Sequence, residues 1–501
     1  MKKAICAALA AAFLFAAMGV TTFAAGCRLP SGVAYVDIES AIDGFVNDNK
    51  DTTAAVSVSV FTGDSVLLEK AYGHANVAAG TQADADTVFE WGSVTKLLVW
   101  ISVMQLAEQR KLNLDRDIGG YLPKHFLRKL KYDDPITLLH LMNHTAGFQE
   151  IPLGLVVPFG TAGAGLGAAL RLLEPAQVFR PGKHVAYSNY GAALAGYIVE
   201  LVSGMPFYAY AREHIFAPLH MEQTALKPGL SDDGWVKSQR RKLNCYGADM
   251  RCMGAAMYDI PLYPAGMATG TIADLRRLAA ALLPDQNGAS PLFQKAETLT
   301  ELFAPTSVFP DGKTPSNCHG LWFEPTMNGT VIGHLGATAG CISAVYIDPG
   351  AGVGMAVMTN QYGEAAYTRR LPRLIFGEKN LGSGGDFEEA GDLSGVYFMS
   401  RDVHKGLFKP MRFLRMVVAI KTGDGYRTFP ETAIEPIGPA LYVAEGLPLY
   451  AVFDERGRAV KLVSGTEEYM RSDAWYADMI SLFATSYVWA ATGTAHTRTT
   501  S

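Results

Sequence analysis

Ser93 and Lys96 stand three residues apart at the start of an apolar run, Leu97 to Ile101, that predicts a buried helix. On a helix this spacing places the two side chains on one face, within reach of each other. A serine hydroxyl needs a base beside it to act as a nucleophile, and a buried lysine can supply one because desolvation disfavours its charged form. Taken alone, the pair is more typical of a helix cap followed by a surface lysine, so its chemistry depends on further partners.

Tyr187 and Asn189 are candidates for those partners, because they directly precede a second apolar helix predicted from Ala192 to Val202. A phenol can share a proton with Lys96 and Ser93 as general base and then protonate the leaving group. The Asn189 amide offers both a donor and an acceptor to a substrate amide.

A third segment, His334 to Ala337, leads into a strand predicted at Ile342 to Ile347. Gly336 would allow a substrate backbone to approach this segment closely. The backbone N–H groups of Ala337 and Ser93 would then form an oxyanion hole. The three segments together predict a site for acyl transfer.

His140 and His144 are spaced like the two histidines of a zinc hydrolase, but Leu141 stands where such a motif carries glutamate. We therefore interpret the pair as structural. The sequence also contains no CxxC pair, so we expect neither a metal site nor a cofactor.

Three motifs, Ser93-Val94-Thr95-Lys96, Tyr187-Ser188-Asn189 and His334-Leu335-Gly336, occur in this order and resemble those of the serine β-lactamase and penicillin-binding superfamily. The resemblance is to its class C-like branch, which includes class C β-lactamases, D,D-peptidases, D-aminopeptidases and family VIII-type esterases. It extends from about Ala55 to Phe376. It implies an α/β fold in which an antiparallel sheet is flanked by helices, with an all-helical subdomain within about residues 115–275.

The resemblance also implies a role for each site residue. Ser93 would be the acylated nucleophile, with Lys96 and Tyr187 as its base system. Asn189 would position the substrate. The far wall of the groove would be lined by His334, Gly336 and Ala337.

One departure from the family pattern concerns the third motif, in which His334 and Leu335 replace the lysine and threonine of true class C β-lactamases. A mostly neutral histidine binds an anion more weakly than lysine does. The substitution therefore favours an esterase, an amidase or a D-amino-acid peptidase over an efficient β-lactamase. The alternative is a catalytically silent receptor that binds penicillin or cell-wall peptides in the same groove.

The 501-residue chain divides into several regions by composition. A glycine- and acid-rich stretch indicates a linker, and the strand patterns after it predict a small antiparallel β domain that resembles a lipocalin-like module. This β domain contains no catalytic cluster, has its own hairpin turn at Asp454 to Gly457, and carries aromatic residues that would fill a small core: Tyr397, Phe398, Tyr442 and Tyr450. We therefore expect a chain ending near Gly384 to keep its activity. The predicted boundaries are a signal peptide at 1–26, a β-lactamase-like domain at 27–380, a linker at 381–392, the β domain at 393–474, and an apolar segment and tail at 475–501.

Lys2 and Lys3, followed by an apolar run, indicate an export signal, which predicts a periplasmic or cell-envelope location. The segment Ala24-Ala25-Gly26-Cys27 resembles a bacterial lipoprotein box, in which case Cys27 would carry lipid and anchor the protein to a membrane. The C-terminal apolar segment is a second candidate for membrane contact, although a helix packed on the protein is the simpler interpretation.

The formal net charge of −5 gives no indication of a nucleic-acid partner. We expect a small-molecule or short-peptide substrate, with the cell wall as one source. In an oxidising compartment Cys245 and Cys252 could pair, whereas the sequence leaves open whether Cys318 and Cys341 meet.

Overall fold

The computed structural model describes residues 27–473, apart from residues 164, 286, 383–387, 424 and 430–431. The predicted signal peptide, the centre of the predicted linker and the apolar C-terminal segment lie outside the described residues. The chain forms a domain built on a nine-stranded sheet, followed by a closed eight-stranded barrel. The predicted α/β fold class, with an antiparallel sheet and a small C-terminal antiparallel β domain, is confirmed.

The main sheet joins the two ends of the first domain. Its strands run in the order β3-β2-β1-β14-β13-β12-β11-β10-β9, and β1 pairs antiparallel with β14 from Val56↔Thr359 to Thr62↔Val353. Every residue of β13 and β14 is buried, because these central strands are covered on both faces. The strands of this domain are β1 (Ala55–Thr62), β2 (Val66–Asn76), β3 (Thr81–Gln82), β4 (Phe89–Glu90), β5 (Val157–Pro158), β6 (Thr224–Ala225), β7 (Tyr258–Asp259), β8 (Thr269–Gly270), β9 (Ser307–Val308), β10 (Pro315–Cys318), β11 (Leu321–Phe323), β12 (Ile332–Ala337), β13 (Ile342–Asp348) and β14 (Val353–Thr359).

Helices pack around this sheet and also form most of the regular secondary structure between β4 and β9. They are α1 (Ile38–Asp48), α2 (Lys96–Glu108), α3 (Leu138–Met142), α4 (Leu166–Leu172), α5 (Asn189–Ser203), α6 (Phe207–Ala211), α7 (Gly234–Arg240), α8 (Ile272–Ala280), α9 (Ala296–Phe303) and α10 (Leu371–Phe376). α2 is apolar on all sides and buried from Lys96 to Leu106, as expected for a helix inside a core. The regular elements of the predicted all-helical subdomain are therefore mainly helices, but the short strands β5 to β8 also lie within it, so it is not all-helical.

The barrel is an eight-stranded meander that closes on itself. β22 pairs with β15, Arg471 opposite Tyr397, so the barrel exposes no unpaired edge. Tyr397 and Tyr442 fill its core together with aliphatic residues, as the sequence suggested. The strands are β15 (Gly395–Met399), β16 (Val417–Thr422), β17 (Gly425–Phe429), β18 (Thr432–Gly438), β19 (Leu441–Ala444), β20 (Leu447–Phe453), β21 (Ala459–Ser464) and β22 (Glu467–Arg471).

The barrel packs directly on the first domain through the connection that follows β15. The backbone N–H of Glu150 donates to the Arg401 carbonyl at 2.8 Å, and the Gln149 side chain accepts from the N–H groups of His404 and Lys405. Tyr450, which the sequence assigned to the barrel core, instead stacks on Phe309 of the first domain at 4.7 Å. The two domains therefore share an interface, and the expected activity of a chain ending near Gly384 stays a prediction.

The described cysteines are all free thiols: Cys27, Cys245, Cys252, Cys318 and Cys341. The expected pair of Cys245 and Cys252 is not formed, because Cys252 is exposed whereas Cys245 is buried and hydrogen-bonds with the Cys341 thiol.

Within the described part of the chain, no single helix is long and apolar enough to cross a membrane. Asn189–Ser203 and Phe207–Phe216, which meet at an angle of 79°, reach the required length and composition only as a bent pair.

Candidate active site

Ser93 and Lys96 meet as their spacing predicts. Ser93 lies in a single 3-10 turn, Gly92–Thr95, that leads directly into α2. This turn carries the Ser93 hydroxyl to the edge of the core, while Lys96, one turn later, is completely buried. Lys96 Nζ lies 2.9 Å from Ser93 Oγ. The pair therefore has the separation that proton transfer requires.

The surroundings of Lys96 favour a neutral amine. Burial is the main cause that holds the pKa of Lys96 well below its usual value, and the positive charge of Arg401 adds to the effect. Nζ donates to Asn189 Oδ1 at 2.8 Å and to the Ala265 carbonyl at 2.6 Å. A neutral amine has two hydrogens and one lone pair, so these two acceptors leave the lone pair for the Ser93 hydroxyl. Lys96 is thus arranged as the general base.

Tyr187 occupies the other side of the serine. Its phenol hydrogen-bonds with Ser93, and burial raises the pKa of Tyr187 above its usual value. The Lys96 amine lies 5.0 Å from the centre of the tyrosine ring. A phenol with a raised pKa keeps its proton at neutral pH, which suits it to protonate a leaving group. The structure therefore separates two roles that the sequence had assigned jointly: Lys96 accepts a proton and Tyr187 carries one.

Asn189 begins α5, and its Oδ1 accepts from Lys96 Nζ. The preceding residue, Ser188, caps the helix by accepting from the Gly191 N–H. A capped helix start fixes the backbone, and with it the positions of Tyr187 and Asn189.

His144 supports this segment from behind. Its Nδ1 accepts from the Ser188 N–H at 3.1 Å, and its ring stacks on Tyr187 at 4.2 Å. Burial lowers the pKa of His144 well below its usual value, so the ring is neutral. His140 instead accepts from the Thr137 N–H at the start of its own helix. These contacts give both histidines a structural role, and among the described residues no cluster of three or more His, Cys, Asp or Glu side chains is arranged to hold a metal ion.

Two glycines bring the end of β12 against the Ser93 turn. A Cβ on Gly336 would lie 2.0 Å from the Trp91 carbonyl oxygen and 3.1 Å from Ser93 N. A Cβ on Gly92 would lie 2.8 Å from Ala337 N. Neither position has room for a side chain, and this close approach places the amides of Ser93 and Ala337 beside each other. The predicted pair of oxyanion donors is therefore brought together.

A buried ionic network holds the turn that follows β12. Arg240, completely buried, donates to Glu90 Oε1 at 2.8 Å. The Tyr258 hydroxyl lies 3.2 Å from Glu90 Oε2 and accepts from the Ala339 N–H at 3.3 Å. None of these side chains stood out in the sequence, because their importance comes from contacts between segments that are distant along the chain.

His334 lies in the site region but carries no charge. The residue is 4% exposed, and burial is the main cause that lowers the pKa of His334 to about 3. Its Nδ1 donates to the Leu335 carbonyl at 2.7 Å. Its ring centre lies 6.3 Å from that of Tyr187. The position that carries lysine in class C β-lactamases therefore supplies no cation here.

A cavity of about 220 Å³ opens beside Ser93. Leu155, Val156 and Ile260 form its apolar side, and Asn189, Tyr258 and the Ala337 segment form its polar side. None of the described residues that line it carries a formal charge. This environment suits a small uncharged or apolar group next to the nucleophile.

The barrel adds a residue that the sequence analysis missed. The Arg401 guanidinium lies 4.9 Å from the centre of the Tyr187 ring. Glu150 of the first domain and Glu467 of β22 both pair with it, Glu467 at 3.6 Å. A lone arginine after a barrel strand gives no local signal, since its partner Glu150 is 251 residues away in sequence.

A family model described as Beta-lactamase matches residues 39–378, more than half of the chain. The chain therefore belongs to the beta-lactamase family, whose three motifs are those described above. Membership in this family classifies the chain as a hydrolase by its fold and its relatives.

Individual relatives resemble different parts of the chain. Penicillin-binding protein 4 of Amycolatopsis lactamdurans is 26% identical over 345 residues, which cover 65% of this chain and 85% of that protein. The crystal structure of SurE, also solved with D-Leu, superposes with a TM-score of 0.61 at 22% identity and covers 87% of this chain and 99% of that chain. The D-amino acid amidase of Ochrobactrum anthropi SV3, with L-phenylalanine bound, gives a TM-score of 0.55 at 21% identity, covering 67% of this chain and 96% of its own. At these identities the solved structures show a shared fold.

Proposed function

We propose that the protein is a serine hydrolase that acts on an amide or ester through an acyl-enzyme. The observation that carries the proposal is the 2.9 Å contact between Ser93 Oγ and the buried, neutral amine of Lys96. An unprotonated lysine directed at a serine hydroxyl is costly to maintain in a core, and it has a clear use in activating that hydroxyl.

The reaction follows from the geometry. Lys96 takes the Ser93 proton as Oγ attacks the carbonyl carbon, and the N–H groups of Ser93 and Ala337 stabilise the resulting oxyanion. The Tyr187 phenol gives its proton to the leaving nitrogen or oxygen as the bond to the carbonyl carbon breaks. The protonated Lys96 then passes its proton to the Tyr187 phenolate, which restores both groups. Water attacks the acyl-enzyme carbonyl while Lys96 accepts a proton from it, and this proton returns to Ser93 Oγ as the bond between Oγ and the acyl carbon breaks.

The proposed substrates are D-amino-acid peptides or amides and short acyl esters. The uncharged cavity and the neutral His334 favour an acyl group without a carboxylate, so we expect β-lactams to be poorer substrates. The fold shared with a D-amino acid amidase and with SurE, which was crystallised with D-Leu, supports the choice of D-amino-acid derivatives.

We also propose that the protein is exported to the periplasm or cell envelope. The support is the Lys2-Lys3 and apolar pattern at the start of the sequence. Lipid on Cys27 would anchor it there, whereas cleavage at Ala24 or Ala25 would release it. Cell fractionation of the wild type and of Cys27→Ser separates the two, because only the lipid-anchored form changes fraction when the cysteine is lost.

Covalent labelling tests the chemistry. A fluorophosphonate probe should label the wild type, and labelling should be lost in Ser93→Ala but retained in the control Ser231→Ala, which alters an exposed serine. The same preparations are then assayed with D-Ala-D-Ala peptides, D-amino-acid amides, short acyl esters and a chromogenic cephalosporin. Labelling of Ser93 without turnover of any substrate would favour the alternative, a catalytically silent penicillin or cell-wall-peptide receptor. Equal hydrolysis by wild type and Ser93→Ala would refute the assignment.

A further inference from the structure

The connection between β15 and β16, residues 400–416, exposes large apolar side chains to solvent. Leu407 is 89% exposed, Leu414 is 83% exposed and Met411 is 45% exposed. Single exposed leucines are common on protein surfaces, but three such residues within eight positions are not. We call residues 405–415 the apolar-basic loop.

The local structure presents these side chains together. Residues Lys409–Arg415 form a 3-10 helix, in which residues three apart lie on the same side, so Met411 and Leu414 share a face. The opposite side of the loop is tied to the barrel, because the Phe413 ring packs edge-on against Phe398 at 5.3 Å. Arg412 lies over the Phe398 ring at 4.2 Å. The exposed residues therefore lie on an element with its own packing.

The charge of this loop is opposite to that of the whole chain. Between positions 405 and 415 the sequence has four basic residues, Lys405, Lys409, Arg412 and Arg415, and no acidic one, whereas the chain has a net charge of −5. Lys405 and Lys409 are exposed. Apolar side chains surrounded by lysine and arginine are the pattern of a surface that binds anionic membrane lipids, since each basic residue near such a surface contributes about fivefold to binding.

We propose that the apolar-basic loop docks the protein on a lipid surface that carries anionic headgroups. Leu407, Met411 and Leu414 enter the boundary between headgroups and acyl chains. The exposed Lys405 and Lys409 contact the headgroups, whereas Arg415 pairs with Asp402 at 3.2 Å. This surface is distinct from Cys27 and from the C-terminal apolar segment. The described chain leaves the barrel beside Val396, because the Ser472 N–H donates to the Val396 carbonyl. Val396 lies near the start of β15, whereas the connection that contains the loop follows Met399 at the other end of this strand. The tail therefore does not begin next to the loop.

Hydrogen–deuterium exchange on the full chain tests the proposal, because it reports on each segment separately. Vesicles containing phosphatidylglycerol should slow exchange in peptides spanning residues 406–416, and vesicles of phosphatidylcholine alone should not. Sedimentation with the same vesicles gives the affinity. The double variant Leu407→Glu/Leu414→Glu should need at least about tenfold more lipid to reach the same protection from exchange, since it replaces two inserted leucines by anions. The control is Leu172→Glu, which alters a leucine of similar exposure in the first domain.

The outcomes separate the possible occupants of the loop. Slow exchange at residues 406–416 without vesicles, lost when residues 475–501 are removed, would show that the chain's own tail covers the loop and would overturn the proposal. Protection confined to the N- or C-terminal peptides would show anchoring elsewhere and would also overturn it. An equal effect of Leu172→Glu would mean that general surface charge governs binding. Hydrolysis of a soluble ester by the double variant is the folding control and should be unchanged.

Discussion

Arg401 is the residue whose replacement tests most directly whether the barrel tunes the candidate active site. Its guanidinium and the Lys96 amine each lie about 5 Å from the centre of the Tyr187 ring, so they are at most about 10 Å apart. At an effective dielectric constant of about 20, two unit charges at that distance repel by roughly 1.7 kcal/mol. Removing the positive charge in Arg401→Gln should therefore raise the pKa of Lys96 by about one unit.

The assay is the pH dependence of kcat/KM. The base must be unprotonated, so the rate rises as pH increases through the pKa of Lys96, and a higher pKa moves this acid limb to higher pH. We expect the limb to shift upward by about one pH unit in Arg401→Gln and to stay in place in Arg401→Lys, which keeps the charge. Glu150 raises the pKa of Lys96, and in Arg401→Gln its negative charge is no longer paired with Arg401, so it adds to the upward shift. Glu150 and Glu467 also raise the pKa of Tyr187.

The control for this experiment is Arg458→Gln, which removes an arginine from the far hairpin of the barrel, where it pairs with Asp454. It should leave the profile unchanged. If Arg401→Gln lowers kcat while the acid limb stays at its wild-type pH, the residue acts only by packing, and the electrostatic argument is refuted.

Three further changes address other parts of the site. Tyr187→Phe should lower the hydrolysis of an amide at least about a hundredfold but that of a p-nitrophenyl ester much less, because only the amine leaving group needs the proton; equal losses on both substrates would show that the phenol does not protonate the leaving group. Gly336→Ala should lower kcat about a hundredfold and also reduce the melting temperature, since the new Cβ meets the Trp91 carbonyl and displaces an oxyanion donor. The control Gly44→Ala, which has open space around it, should change neither kcat nor the melting temperature. A wild-type kcat in Gly336→Ala would contradict this account. A chain ending at residue 392 should remain folded by circular dichroism yet lose more than about tenfold in amide hydrolysis, because it lacks Arg401 and uncovers the ring of Tyr187; full activity would restore the modular interpretation that the sequence suggested.

Much of the site could be predicted because it depends on local spacing. A three-residue interval on a helix is enough to bring Ser93 and Lys96 together, and a motif order shared with a known family indicated which distant segments join them. Apolar patterns likewise predicted the strand at Ile342 to Ile347 and the strand-rich barrel.

The rest could not be predicted because it depends on packing between distant segments. Arg401 gains its place only when the barrel docks, and the Glu90–Arg240 pair matters only because both residues are carried into one core. The separate roles of Lys96 and Tyr187 follow from their burial, which no local pattern reveals. A glycine-rich linker suggested independent domains, but linker composition determines reach and not whether the domains pack together.

The contact between Glu150 and Arg401 also sets the order in which the protein can mature. The two residues of this contact are 251 positions apart in the sequence. The strand before Arg401 is β15, which pairs with β22 near the end of the described chain. During synthesis the first domain can fold before the barrel has been made, since domains generally fold as units from the N-terminus. Ser93 and Lys96 then meet early, but the Arg401 charge, which adds to the effect of burial on the pKa of Lys96, arrives only after the barrel closes. Full activity therefore depends on the completion of β22. A chain interrupted before β22 would contain an assembled Ser93–Lys96 pair with low activity.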